Sequence, residues 1–392
     1  MPVLNRIAAF APEMAGWRRY LHQHPELGQD CVNTAAYVVE RLREFGIDEI
    51  HEGIARTGVV ALIHGQGPRI KGGPVIGLRA DMDALPITEA SGVPHASLTP
   101  GKMHACGHDG HTAMLLGAAK YLAETRNFAG SVALIFQPAE ETGGGAEVMV
   151  AEGMMERFGI GQVYALHNAP GTAVGGFRTT PGPIMAAVDT FHIEVTGRGG
   201  HGAVPHQARD PVVAAVGIVQ AIQTISSRNH NALDDLVISV TQIHAGTAHN
   251  IIPETASING TIRTFTAPVL AMVKRRLAEI VAGQAASFGV GGELRFEPGF
   301  PPTVNDAGKT RFAAEVAREV GLSVDDDAPR EMIAEDFCFM LNARPGAYLL
   351  LGNGDTAGLH HPGFDFNDET APYGASFFAK LVERAQPLGQ DL

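Results

Sequence analysis

Five short apolar runs, each broken off by polar residues, constrain this chain more than any other feature. They are RTGVVALIHG (56–65), GGPVIGLRADMDALP (72–86), SVALIFQPAEE (131–141), QVYALHNAPG (162–171) and AYLLLG (347–352). Apolar and β-branched runs of this length that stop at Gly or Pro read as strands. Strands without a polar face need cover on both sides, which is the condition of a mostly parallel sheet. HTAMLLGAAKYLAETR, TRFAAEVAREVGL and PYGASFFAKLVERA have the apolar periodicity of helices that supply that cover. The first of these is expected to be capped by Asp109 or Thr112. The expected fold is therefore α/β, a largely parallel mixed sheet flanked by helices.

Between Ala186 and Phe296 the rhythm changes. DTFHIEVTG alternates like a half-buried strand, and DPVVAAVGIVQAIQTISS reads as a helix. DDLVISVTQIHAG and TASINGTIRTF are two more strands, followed by a long helix from Ala267 and a closing strand, GELRFEPGF. The order β-α-β-β-α-β predicts a ferredoxin-like α+β sandwich inserted into the first domain. The domains expected are 1–185 with 297–392, discontinuous and catalytic, and 186–296, a lid or dimerisation domain.

Composition excludes several partners. A formal charge of −13 and a pI near 5.7 argue against nucleic acid and against anionic membranes. No apolar run approaches the roughly 18 residues of a membrane span. VVAAVGIVQAI (212–222) comes nearest and reads as a buried helix. Three cysteines, Cys31, Cys106 and Cys338, are too few for a disulfide framework and fit a reducing cytoplasm. Cys31 is expected in a helix, and Cys338 in packing. The N-terminal stretch through WRRYLHQHPEL reads as an amphipathic helix rather than a secretory signal.

Open α/β sheets place their sites beyond the carboxyl ends of their strands. The polar residues expected there are Asp81 and Asp83, Glu140 and Glu141, His167, and the pair His360 and His361 of GLHHPGFDFND. KMHACGHDGHTAMLLGAA adds Cys106 and His108. Sulfur, imidazole and carboxylate together suit zinc or another first-row divalent ion rather than magnesium or calcium. Adjacent glutamates leave the backbone in different directions. Glu141 is thus expected as a ligand and Glu140 as the general acid/base for water.

Taken singly, each residue has a plainer reading. The aspartates suit a turn, the glutamates a solvated strand end, His167 a hydrogen-bonded core, and His104 and His111 a loop and a helix cap. Cys106 just before a helix also suits a thiol nucleophile.

The motifs in combination resemble one family. HACGHDGHTAMLLGAA, RADMDALPI, FQPAEE, GRGGHGAVPH, NIIPETASINGTIRTF, EDFCFML and LHHPGFDFND occur in order along nearly the whole chain. They are similar to the aminoacylase/carboxypeptidase family of co-catalytic metallohydrolases, and within it to the hippurate hydrolases and N-acyl-L-amino-acid amidohydrolases. The resemblance implies two divalent ions (zinc, manganese, cobalt or nickel) held by Cys106, His108, Glu141, His167 and His360. It implies Glu140 as catalytic base and Asp83 behind the ligands. His201 would stabilise the oxyanion, in a neighbouring subunit's site, and Asn250 and Arg263 would hold the substrate near its carboxylate. Asp81 stands where many relatives have a metal-binding histidine and stays outside the ligand set. Glu335, Asp336 and His361 receive no role.

The activity expected is hydrolysis of the amide bond of a small N-acyl amino acid by a homodimer or higher homo-oligomer. A dipeptidase, an N-carbamoyl-amino-acid amidohydrolase, a Cys106 thiol hydrolase and a non-catalytic metal or small-molecule carrier are the alternatives.

Overall fold

The computed structural model describes residues 3–47, 49–67 and 75–389. Gly72, Gly73 and Pro74, which open one expected strand, and the first two residues of the N-terminal stretch lie outside these. Two compact units divide the chain. One takes the chain up to Ile184, Val304–Pro329 and everything from Asp336 onward; the other takes Met185–Thr303 and Arg330–Glu335.

The first unit is built on an eight-stranded mixed sheet. Its site-bearing elements are β1 (Val75–Asp81), α1 (His108–Thr125), β2 (Ser131–Gln137), β3 (Ile160–Pro170) and β4 (Gly346–Gly354). Across the sheet the strands run Glu49–Ile54, Gly58–His64, β2, β1, β3, β4, Gly176–Arg178, Ser323–Asp325. The four central strands are mutually parallel, as apolar strands covered on both faces require. Ala11–Gln23, Val32–Glu44, α1 and Ala371–Ala385 form one packed group of helices against this sheet, and Gly145–Ala151 and Met154–Arg157 belong to another. Leu78, Leu134, Phe136, Tyr164, Leu349, Leu351, Met114 and Phe377 belong to one continuous core. Burying a side chain of that size contributes roughly 1.5–3 kcal/mol.

Register brings the carboxyl ends of the strands level. Asp81 pairs with Gln137, and Arg79 pairs with Ala165, each two residues short of Asp81 and His167. His167 differs from expectation: β3 continues three residues beyond it to Pro170, with His167 opposite Leu350 of β4. The start of α1 differs too. It begins at His108, after Gly107 at φ +91°, with no side-chain cap. Asp109 and Thr112 are committed elsewhere, to His22 Nδ1 at 2.8 Å and to the Asp81 carbonyl at 2.9 Å. Cys31 likewise sits just ahead of the helix Val32–Glu44, its thiol donating to the Gly28 carbonyl at 3.2 Å.

The second unit is a four-stranded antiparallel sheet in the order Leu236–Ala245, Thr255–Thr264, Ala187–Thr196, Gly291–Pro298. The helices Pro211–Thr224 and Ala267–Phe288 pack on it, giving the expected β-α-β-β-α-β sandwich. Asp210 caps the first helix by accepting from Val212 and Val213 N–H. Residues alternate buried and half-buried along Ala187–Thr196 and Thr255–Thr264, the pattern of a sheet with one covered face. Phe191, Ile193, Ile218, Ile258 and Leu277 fill its separate core. Among the described residues, no helix is long and apolar enough to cross a membrane.

Candidate metal centre

β2 ends at Gln137, and Pro138 stops it. Ala139 then turns the chain at φ +58°, a left-handed conformation unusual for a residue with a Cβ. The turn brings the backbone of Glu140 and Glu141 against Asp83, just past the end of β1. Asp83 fixes both: it accepts the Glu140 N–H at 3.0 Å and the Glu141 N–H at 3.2 Å, one on each oxygen. A single buried carboxylate thereby sets the backbone of the doublet.

Ligand atoms of Cys106, His108 and His167 lie within 4.8 Å of one another. So do those of Cys106, Glu141 and His360, and those of His108, Glu140 and Glu141. The three sets share Cys106, His108 and Glu141, so the five expected ligands and Glu140 form one continuous cluster. Cys106 Sγ is 3.4 Å from His167 Nε2, and His360 Nε2 is 3.3 Å from Glu141 Oε1. His167 Nδ1 donates to the Asn168 carbonyl at 2.8 Å, which leaves the Nε2 lone pair facing the thiol. His360 adopts φ +61°, and its N–H donates to the Ala105 carbonyl at 2.8 Å, tying it beside Cys106.

The donors fit a divalent cation on direct grounds. Both His108 nitrogens and Glu141 Oε1 are buried without a hydrogen-bond partner among the described residues. Each such buried atom costs about 1–3 kcal/mol. A cation between His108 Nε2 and Glu141 Oε1, 3.8 Å apart, satisfies two of the three, while His108 Nδ1 faces Asp83 Oδ1 at 3.5 Å. The field agrees: although burial opposes it, Asp81, Cys106 and Asp83 hold the His108 imidazole well above its ordinary range. Burial pushes the Cys106 thiol well above its own. Thiolate, imidazole and carboxylate are a first-row-metal set.

Asp81 has close partners of its own. Its Oδ2 accepts from Arg79 Nη1 at 2.8 Å and its Oδ1 from His111 Nδ1 at 2.6 Å. Burial alone would raise this carboxyl, but His108, His111 and Arg79 around it hold it well below the carboxylate range. Its charge is already matched. Arg79 also donates to Gln137 and to Asp336, and Asp336 accepts the Ala146 N–H at 2.9 Å. The sequence reading missed Arg79, Gln137 and Asn168, although an arginine inside an otherwise apolar strand is a readable sign of a buried partner. His361 Nδ1 accepts the Gly363 N–H at 3.0 Å, the Glu335 carbonyl accepts from Thr303 at 3.2 Å, and His104 is buried beside His22.

A second polar cluster lies behind the start of α1. Arg18, 1% exposed, donates to Asp365 and Asp368 at 2.8 Å each and to the Phe366 carbonyl at 2.8 Å, and lies 3.7 Å from Asp109. His22 bridges Asp109 and Glu89. These contacts hold the chain that follows His360 and the residue that follows His108.

In the second unit, Gly200–His201 pairs antiparallel with Ile251–Ile252, so His201 and Asn250 lie side by side and exposed. The Gly202 N–H donates to the Asn250 carbonyl at 2.8 Å. Arg263 is half-buried on Thr255–Thr264 and donates to Thr261 Oγ1.

Residues 77–384 match the description of peptidase family M20/M25/M40. The chain is 42% identical over 383 residues to the N-acetyl-L-cysteine deacetylase of Bacillus subtilis (strain 168), covering 97% of this chain and 89% of that protein. It is 39% identical over 384 residues to the hippurate hydrolase of Campylobacter jejuni, covering 97% and 99%. A Bacillus subtilis crystal structure described as a dinuclear metal-binding peptidase from the M20 family superposes with a TM-score of 0.84 at 34% identity, covering 97% of this chain and 99% of that one.

Proposed function

The chain belongs to peptidase family M20/M25/M40, and on that premise we propose that it hydrolyses the amide bond of N-acyl amino acids, of the N-acetyl or hippurate type. The observation that carries the reading is the cluster of Cys106, His108, Glu141, His167 and His360 with Glu140 among them. The relatives named as a deacetylase and a hippurate hydrolase support the substrate class.

Those five side chains would hold divalent ions (zinc, manganese, cobalt or nickel), which would supply Lewis acidity to water and to a carbonyl. Glu140 takes the proton of the attacking water and returns it to the leaving nitrogen. Asp83 keeps Glu140 and Glu141 in register for their separate tasks. Arg263 forks onto the substrate carboxylate with Asn250 beside it, and His201 donates to the developing oxyanion. His201 serves the site of a second copy of this chain. The exposed Val212, Val213 and Val216 on Pro211–Thr224 and the open edge of Leu236–Ala245, with Ile243 exposed, support a homodimer contact through this unit.

Replacing Glu140 by Ala tests the assignment. The expected result is a kcat about 10²- to 10⁴-fold lower on N-acetyl and N-benzoyl amino acids, with bound metal unchanged by elemental analysis. Near-normal turnover in the metal-loaded variant removes Glu140 from its role. One observation favours a second reading, a thiol hydrolase: Cys106 Sγ is 3.4 Å from His167 Nε2. Burial of that thiol works against it. Activity that survives exhaustive chelation would decide for the thiol.

A further inference from the structure

Two residues outside the ligand set join the segments that carry Cys106 and His167. Asn168 follows His167 on β3, and its Nδ2 donates to the Cys106 carbonyl at 2.5 Å. Its backbone N–H donates to His111 Nε2 at 2.9 Å, and Nδ2 also lies 3.1 Å from that nitrogen. A nitrogen that accepts an N–H carries no proton, so His111 presents its own proton at Nδ1, to Asp81 at 2.6 Å. Asp81 is anchored in turn by Arg79. The chain of contacts thus runs from the Cys106 carbonyl through Asn168 and His111 to the end of β1. All its members are buried.

The backbone is built to admit it. A Cβ at Gly107 would lie 2.3 Å from Asn168 Nδ2, and Gly107 itself sits at φ +91°. Only a glycine lets the amide reach the Cys106 carbonyl. Nothing in this arrangement leaves His111 free to bind a cation: one ring nitrogen accepts from Asn168 and the other donates to Asp81.

We propose that His111 and Asn168 are positioning residues that fix Cys106 and His167 relative to each other, and that neither is a metal ligand. The inference rests on the ligand assignment above and deepens it. Outer partners of this kind typically change metal affinity by about 10- to 100-fold. Two variants separate the links. Asn168→Ala removes the donor to Cys106; His111→Asn keeps an N–H for Asp81 and loses the acceptor for Asn168.

The experiment titrates the metal-free full-length protein and each variant with Zn²⁺ against a chromophoric chelator. Cobalt(II) replaces zinc in a parallel series, in which the thiolate-to-cobalt absorption band reports Cys106. Each variant should bind the same number of ions as wild type at saturation, about 10- to 100-fold more weakly, with a shifted thiolate band. The double variant should lose less than the product of the two single losses, since both act through one link. If one variant fails to fold, as judged by its circular dichroism, the other still decides. Affinity and band identical to wild type would overturn the inference while leaving the ligand set intact. An ion missing at saturation in His111→Asn would overturn it by making His111 a ligand. A wild-type protein that binds no divalent ion would instead overturn the ligand assignment itself.

Discussion

The two units hold their polar residues under opposite conditions. In the first, Cys106, His108, His167, Asp81 and Asp83 are all buried, gathered beside the central parallel strands. In the second, His201 and Asn250 stand exposed on a short ladder, and Arg263 lies half-buried on a strand whose other face makes the core. A buried polar group is paired or costly; an exposed one is nearly neutral to folding. Substitutions in the first unit should therefore damage stability and activity together, and those in the second activity alone.

The largest effect expected in folding is at Arg18. Removing one partner from a buried charge cluster costs about 3–5 kcal/mol, so Arg18→Met should lower the urea midpoint by that equivalent. A loss under about 1 kcal/mol would break the contrast. His22 gives the next, and it is pH-dependent. Although burial opposes protonation, Asp109 and Glu89 raise its pKa from 6.5 to about 9. A raised folded-state pKa contributes stability that is complete below pH 6.5 and disappears as the pH passes about 9. The stability gap between wild type and His22→Gln should shrink by about 3 kcal/mol between pH 6 and pH 9.5, measured by chemical denaturation. A gap that widens over this range would reverse the assignment.

The smallest folding effect is expected in the second unit. Arg263→Ala should change stability by under about 1 kcal/mol, and raise KM for acyl amino acids about 10- to 100-fold, the worth of a charged hydrogen bond. An amidated substrate lacking the carboxylate should be indifferent to the change. Equal losses on both substrates would mean that Arg263 works through the fold, and the contrast would fail there.

The contrast also explains what could be read in advance. Strands that are apolar on both faces announce themselves, and so do the polar residues just past their ends, which is why Asp83 and the Glu140–Glu141 doublet stood out. The sandwich was legible because its period switches between strand and helix four times in order. Partnerships between distant residues were not. Arg79 meets Asp336 from 257 positions away, and Arg18 meets Asp368 from 350. No local pattern encodes such pairs. The start of α1 was misplaced for the same reason: Asp109 and Thr112 have capping side chains, but His22 and the Asp81 carbonyl claim them. His167 looked terminal because its polarity interrupts an apolar run, yet the backbone ladder continues through it.

One feature of α1 bears on how such a molecule is made. Gly110 leaves no room for a side chain because the ring of Phe366 occupies that space, and β4 forms the parallel partner of β3 at His167. The scaffold under Cys106, His108 and His167 therefore depends on segments synthesised last. A nascent chain still short of Phe366 on the ribosome has those three residues but no finished cradle around them.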